Sequence, residues 1–232
     1  MYRGFYFDST YVLVLIGMAL MLLAQAKVKG SYSKYSKVLN KNLYTGRQVA
    51  EKIIANHGLN VMVQEVSGTL SDHYDPSSNT LRLSSDIYNG TSIASMAVAA
   101  HECGHALQHA EGYGFLSFRS AILPFANGGN TIGWIAVMIG LCLGRSSIAF
   151  IGLGLLSLML VFQVVTLPVE FNASSRALNI LSSEFGITGD ELSGSKSMLT
   201  AAALTYVAAV ASTLLSLLRI LIIILNNTDR RR

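Results

Sequence analysis

Long apolar runs flank one extended polar stretch, and this pattern predicts most of the architecture. Tyr11 to Ala26 is apolar; extended back through Phe5, Tyr6 and Phe7, it is just long enough to cross a bilayer with interfacial rings at one end. From Lys27 to about Gly129 the chain turns polar and carries the one segment able to fold outside a membrane. There, Thr45 to His57 predicts a helix: an N-cap threonine, Val49, Ile53 and Ile54 at helical spacing, and Gly58 as the stop. Three β-like pieces follow, Val61 to Val66, Thr69 to Tyr74 and Thr80 to Ser84, with an Asp75-Pro76-Ser77-Ser78-Asn79 turn between the last two. Thr91 to Glu111, with five alanines between Ala94 and Ala106 and no proline, has the composition of a helix.

Thr131 to Gly144 and Ser147 to Leu167 are two further apolar runs, separated by Arg145 and Ser146. They predict a transmembrane hairpin with Arg145 at its tight turn, the first span starting near Asn127 at the Asn127-Gly128-Gly129 break. A hairpin returns the chain to the side it left, which sets the segment after Leu167 beside the 91–111 helix. Pro168 suits the first turn of a helix there. Gly186 to Ser197 reads as a polar loop, and Ala201 to Leu225 as a last apolar run interrupted only by Thr, Ser, Tyr206 and Arg219. The expected organisation is a transmembrane anchor over 1–26, a catalytic segment over 27–126 with its motif helix at 92–111, and a hairpin over 127–167. A helix and polar loop over 168–200 and a last transmembrane helix with basic tail over 201–232 complete it.

Composition agrees with a membrane setting: 51% of the 232 residues are hydrophobic and only 13% charged. An isoelectric point near 9.1 raises the question of nucleic acid. The lysines answer it by clustering just after an apolar run, at Lys27, Lys29, Lys34, Lys37 and Lys41, where such residues meet anionic headgroups and orient the chain. No nucleic-acid partner is expected, and the lysine side faces the cytoplasm. Ala24-Gln25-Ala26 resembles a signal-peptide cleavage site, but the leading region is barely basic, Arg3 being opposed by Asp8, which favours a retained anchor. If the last run spans, Arg230-Arg231-Arg232 lies opposite the lysines; either that run does not cross fully or the tail is an exception. The two cysteines build no disulfide framework.

The chemistry concentrates in His101-Glu102-Cys103-Gly104-His105. Residues four apart on a helix differ by about 40° and share a face, so both imidazoles reach one zinc ion at roughly 2.1 Å. Glu102 falls about 60° to the side of His105, where a general base takes a proton from a water activated by the metal. His109 lies on the same stripe but about 12 Å along the axis from His101, too far to share the ion, so it is a neighbour of the site or has no role. The metzincin extension is absent: Gln108 stands where its glycine belongs and Glu111 where its third histidine belongs. A third ligand comes from elsewhere.

Glu170, two residues after Pro168, sits just outside the hydrocarbon, a costly place for an unpaired carboxylate. Zinc coordination removes that cost; so does pairing with Arg176 or solvation by headgroups. Asp86, Glu111, Glu184, Asp190 and Glu191 lie in polar surroundings and need no metal to explain them. Leu81-Arg82-Leu83 is either an open edge to which a peptide adds as an extra strand or an ordinary internal strand. Oxyanion stabilisation falls to one of His73, His109, Arg176 and Tyr206.

Taken together, Asp72-His73-Tyr74-Asp75-Pro76, Leu81-Arg82-Leu83-Ser84, Val98 to Gln108 and Leu167-Pro168-Val169-Glu170-Phe171-Asn172-Ala173-Ser174 resemble the YugP-type neutral zinc metallopeptidases of bacterial membranes over nearly the whole chain. More distantly the chain is similar to the HtpX and CAAX-prenyl peptidase group, in which a Glu-x-x-Ala-Asp stretch after a membrane hairpin supplies the third ligand. The resemblance implies that Glu170 is the ligand, with Ser174 where the distant group has aspartate. It also implies an α-helical multi-pass membrane protein, mainly α, with a small α+β zincin-like, gluzincin-type catalytic domain at the cytoplasmic face of the cell membrane. The expected activity is zinc metalloendopeptidase: His101, His105 and Glu170 hold Zn2+, Glu102 is catalytic, and the partners are a peptide or protein substrate and the lipid bilayer. The rival expectations are a membrane scaffold or chaperone-binding protein with a structural or vestigial zinc site, and a protease that cuts within the bilayer.

Overall fold

The computed structural model describes residues 9–229, so Arg3, Phe5, Tyr6, Phe7, Asp8 and the Arg230-Arg231-Arg232 tail lie outside the described residues. The elements are α1 (Tyr11–Tyr35), α2 (Gly46–Asn56), β1 (Met62–Val66), β2 (His73–Asp75), β3 (Thr80–Ser84), α3 (Ser85–Tyr88), α4 (Ile93–Ala110), α5 (Gly114–Leu143), α6 (Ser146–Phe185) and α7 (Gly189–Asp229). The fold is mainly α, with a small three-stranded sheet and four helices, α1, α5, α6 and α7, long and apolar enough to cross a membrane. Two compact units divide it. One holds the chain up to Ala24, Phe118–Thr166 and the chain from Thr205; the other holds Gln25–Ser117 and Leu167–Leu204.

In the first unit Val137, Ala149, Leu156, Ile220 and Ile224 form a small packed core. Gly133 and Gly152 let α5 and α6 touch there: a Cβ on Gly152 would lie 2.7 Å from the Gly133 carbonyl oxygen. Without water to drive apolar groups together, such close backbone packing is how membrane helices associate. The hairpin turn falls at Gly144-Arg145, where the Arg145 N–H reaches the Gly140 carbonyl at 2.8 Å. The expected break at Asn127-Gly128-Gly129 is absent, because α5 runs unbroken from Gly114 through it.

The second unit has a core of the usual water-soluble kind. Val49, Ile53, Leu81, Leu83, Ile87, Met96 and Leu181 are fully buried together. α2 forms where its sequence signals put it: the Thr45 hydroxyl accepts from the Gln48 N–H at 3.1 Å while the Gln48 side chain accepts from the Thr45 N–H at 2.9 Å, a capping box. The sheet order is β1-β3-β2, with β1 parallel and β2 antiparallel to β3. β3 is therefore the central strand, and the edge reading of Leu81-Arg82-Leu83 fails. Leu81 and Leu83 both enter the core, whereas Arg82 leaves on the other face to pair with Asp75 at 2.9 Å. β2 is also shorter than the expected Thr69 to Tyr74. Gly68 and Leu70 adopt positive φ (110° and 56°), and the Ser71 hydroxyl donates to the Ser67 and Gly68 carbonyls, so the approach to the strand folds on itself.

All four long helices run further than the hydropathy pattern suggests: α1 continues past Ala26 through the first lysines to Tyr35, and α5 starts at Gly114 rather than near Asn127. Pro168 lies in the interior of α6 rather than its first turn. The polar loop after Gly186 is mostly the start of α7, which begins at Gly189 with Asp190 and Glu191 in its first turn, a favourable place for carboxylates.

Candidate metal centre

α4 starts where the Ser92 side chain accepts from the Ser95 N–H at 3.0 Å and stays almost wholly buried as far as Gln108. Its H-E-x-x-H residues inherit that rigidity. Gly104, between the two histidines, faces α6: a Cβ there would lie 2.7 Å from the Ala173 carbonyl oxygen. A side chain at this position would hold the helices apart, so glycine sets the approach that carries Glu170 to the histidines.

The result is a cluster of three ligand atoms, from His101, His105 and Glu170, all within 4.8 Å of one another. Glu170 Oε2 is 3.4 Å from His101 Nε2 and 3.6 Å from His105 Nε2. Two zinc–ligand bonds of about 2.0–2.1 Å at a tetrahedral angle separate their donor atoms by roughly 3.3–3.4 Å, so the donor types and the two spacings to Glu170 fit zinc. Glu170 does not pair with Arg176, the alternative open from its position in the chain. Arg176 instead grips Glu111 with both terminal nitrogens at 2.7 Å, and this pairing holds the Glu111 carboxyl below its usual range. Among the described residues, no other group of three histidine, cysteine or acidic side chains could hold a metal.

Glu102 is buried, and its Oε2 accepts the Tyr74 N–H of β2 at 3.0 Å. Cys103 points away from the histidines, toward the Ala50 carbonyl; burial pushes its thiol far up, which makes it an inert core group. His109 bonds a residue of β2, its Nδ1 lying 2.8 Å from the Tyr74 hydroxyl. His73 is exposed and bonds the Ser71 carbonyl at 2.8 Å, Arg176 is committed to Glu111, and Tyr206 belongs to the other unit. Of the remaining carboxylates, Glu184 binds Asn56 and His57, and Glu191 is buried and accepts the Lys41 N–H at 2.7 Å, so its surroundings are less polar than its sequence neighbours suggest.

Sequence reasoning missed the groups behind the two histidines. The Gln108 Oε1 lies 3.0 Å from His105 Nδ1, and the Ser174 hydroxyl 3.2 Å from His101 Nδ1. A signal for each existed: Gln108 stands one turn after His105, and Ser174 one turn after Glu170.

Two imidazoles and a carboxylate from a second helix are the ligand set of one class of zinc hydrolases, and comparison with known proteins leads to the same class. Residues 10–225 match the family described as "Putative neutral zinc metallopeptidase", and the chain belongs to that family. A relative from Bacillus subtilis (strain 168), "Putative membrane protease YugP", is 45% identical over 218 residues, which cover 94% of this chain and 97% of that protein. No solved structure matches the chain significantly.

Proposed function

We propose that this protein is a multi-pass membrane zinc metalloendopeptidase. The observation that carries the reading is the convergence of His101, His105 and Glu170 within 4.8 Å, beside a buried glutamate one residue from the first histidine. When bound, zinc supplies a Lewis acid that polarises a peptide carbonyl and makes water acidic enough to attack near neutral pH. Glu102 takes the proton released by the attacking water and returns it to the departing amine. The Tyr74 N–H keeps the Glu102 carboxylate aimed while it does so. Half-buried histidines and a buried Glu170 limit solvent around the reacting groups, which strengthens every charge interaction among them. The substrate is a peptide or protein, as the family description and the relative's name suggest.

The lysines between Lys27 and Lys41 belong to the same unit as the histidines, and under the positive-inside rule they favour a site on the cytoplasmic face of the cell membrane. The test uses purified full-length protein in detergent, with zinc content and cleavage of an unfolded protein measured side by side. Glu102→Gln is expected to retain zinc and lose about 10²- to 10⁴-fold in turnover. His105→Ala is expected to lose both. Undiminished cleavage by Glu102→Gln would overturn the mechanism, and bound zinc without turnover in the wild type would favour a scaffold.

A further inference from the structure

Behind His105 runs a chain of hydrogen bonds whose direction is set at its far end. Arg176 Nε donates to Asn172 Oδ1 at 2.8 Å, and its two terminal nitrogens donate to Glu111. A guanidinium has donors only, so the Asn172 atom facing it must be the oxygen. The same oxygen accepts from Gln108 Nε2 at 2.9 Å, and the Val169 carbonyl, also an acceptor only, takes the other Gln108 amide hydrogen at 2.8 Å. Gln108 is fully buried, so its amide has no water with which to exchange these partners. With both amide hydrogens committed, Oε1 faces His105 Nδ1, which must then carry the proton. His105 Nε2 is left as a lone pair aimed at Glu170.

We infer that Gln108, Asn172 and Arg176 are positioning residues that fix the tautomer of His105 as a metal ligand, without touching metal or substrate. His101 has no such device: its Nδ1 meets the Ser174 hydroxyl, which donates or accepts equally well. The relay also joins α4 to α6, since Gln108 and His105 lie on one and Asn172 and Arg176 on the other. The inference rests on the metal-site reading of the preceding section.

The experiment measures the zinc dissociation constant of the full-length protein in detergent by competition with a chromogenic chelator. Asn172→Asp retains an accepting oxygen for both Gln108 and Arg176, and is expected to bind zinc within about threefold of wild type. Asn172→Leu keeps the volume and loses the acceptor, and is expected to weaken zinc about 10- to 100-fold, the usual consequence of removing an outer partner of a ligating histidine. A packing role predicts the reverse order, because it tolerates leucine and penalises the added charge; that order would overturn the inference. Arg176→Met against Arg176→Lys gives a second comparison, at a side chain that keeps 24% of its surface exposed and pairs with Glu111. Lysine is expected to restore most of the zinc affinity that methionine loses, and equal affinities for the two would overturn the relay. His105→Ala separates the two layers: wild-type zinc affinity in that variant would sink the metal-site reading itself, whatever the Asn172 variants do.

Discussion

The two units use their apolar side chains in opposite ways. In the unit with the histidines, Leu81, Leu83, Ile87 and Leu181 face inward and are lost to solvent. In the other, Leu15, Ile151 and Leu214 are each more than half exposed, and no more than 28% of the residues in the apolar window of any long helix are buried within the chain. Water drives the first arrangement, because apolar surface leaves it at about 25 cal/mol per Å². Lipid offers no such gain between helices, so the second depends on close contact at small residues such as Gly133 and Gly152. Outward apolar residues thus lie outside the core in one unit, as at Leu39 and Leu43, and are the normal state along the long helices of the other. In the histidine unit the buried Gln108 amide is joined in a directed network.

Substitutions that test this contrast differ in size. Leu83→Ala, in the core beside α4, is expected to cost about 2–5 kcal/mol. Leu214→Ala, on an outward face, is expected to change stability in lipid nanodiscs by less than about 0.5 kcal/mol. Chemical unfolding of both variants checks the difference, and equal losses would erase the distinction between the units. Leu214→Arg is expected to cost about 2.5–3.5 kcal/mol of membrane insertion, read as a loss of the membrane-inserted fraction. Full insertion would show that this face does not meet hydrocarbon.

Gly104→Ala is expected to cost about 1–3 kcal/mol through overpacking against Ala173, and to weaken zinc binding more than its stability loss suggests, because it moves Glu170 away from both histidines. Unchanged zinc affinity would show that helix approach does not limit the site. The smallest effect is expected from acid. Bonding to Arg176 lowers the folded-state value of Glu111, so its contribution is present above roughly pH 4.3 and is lost as pH falls through the lowered value. Thermal unfolding between pH 5 and 3 should therefore fall more for wild type than for Glu111→Gln, and parallel curves would show that the pair contributes nothing.

Local features of the chain were readable before any fold. The Thr45 N-cap of α2, the Asp75 to Asn79 turn and the presence of four apolar runs depend on neighbours a few residues apart, and the structure has them. Errors arose where distant segments decided. Hydrophobic alternation in Leu81-Arg82-Leu83 marks a strand but says nothing of what pairs on each side, and β1 and β2 both do. Pro168 and the Gly128-Gly129 pair look like helix boundaries by propensity, yet each lies inside a long helix, as membrane spans often allow. Glu170 could be suspected from the cost of its position, but the residue pattern alone left Arg176 and the histidines both open as its partners, and only the family resemblance favoured the histidines.

By itself, the amino-acid sequence determined that His101 and His105 share one face of a helix with Glu102 beside them, because a four-residue spacing and a 100° turn per residue are local geometry. It likewise determined which segments are apolar enough for a membrane. Only the tertiary structure decided that α6 passes close enough at Gly104 and Ala173 to bring Glu170 within 3.4 Å of His101. It alone also set the order of donors and acceptors from Arg176 to His105. The contacts between α4 and α6 join residues more than 60 positions apart, and the packing that brings them together depends on every element between.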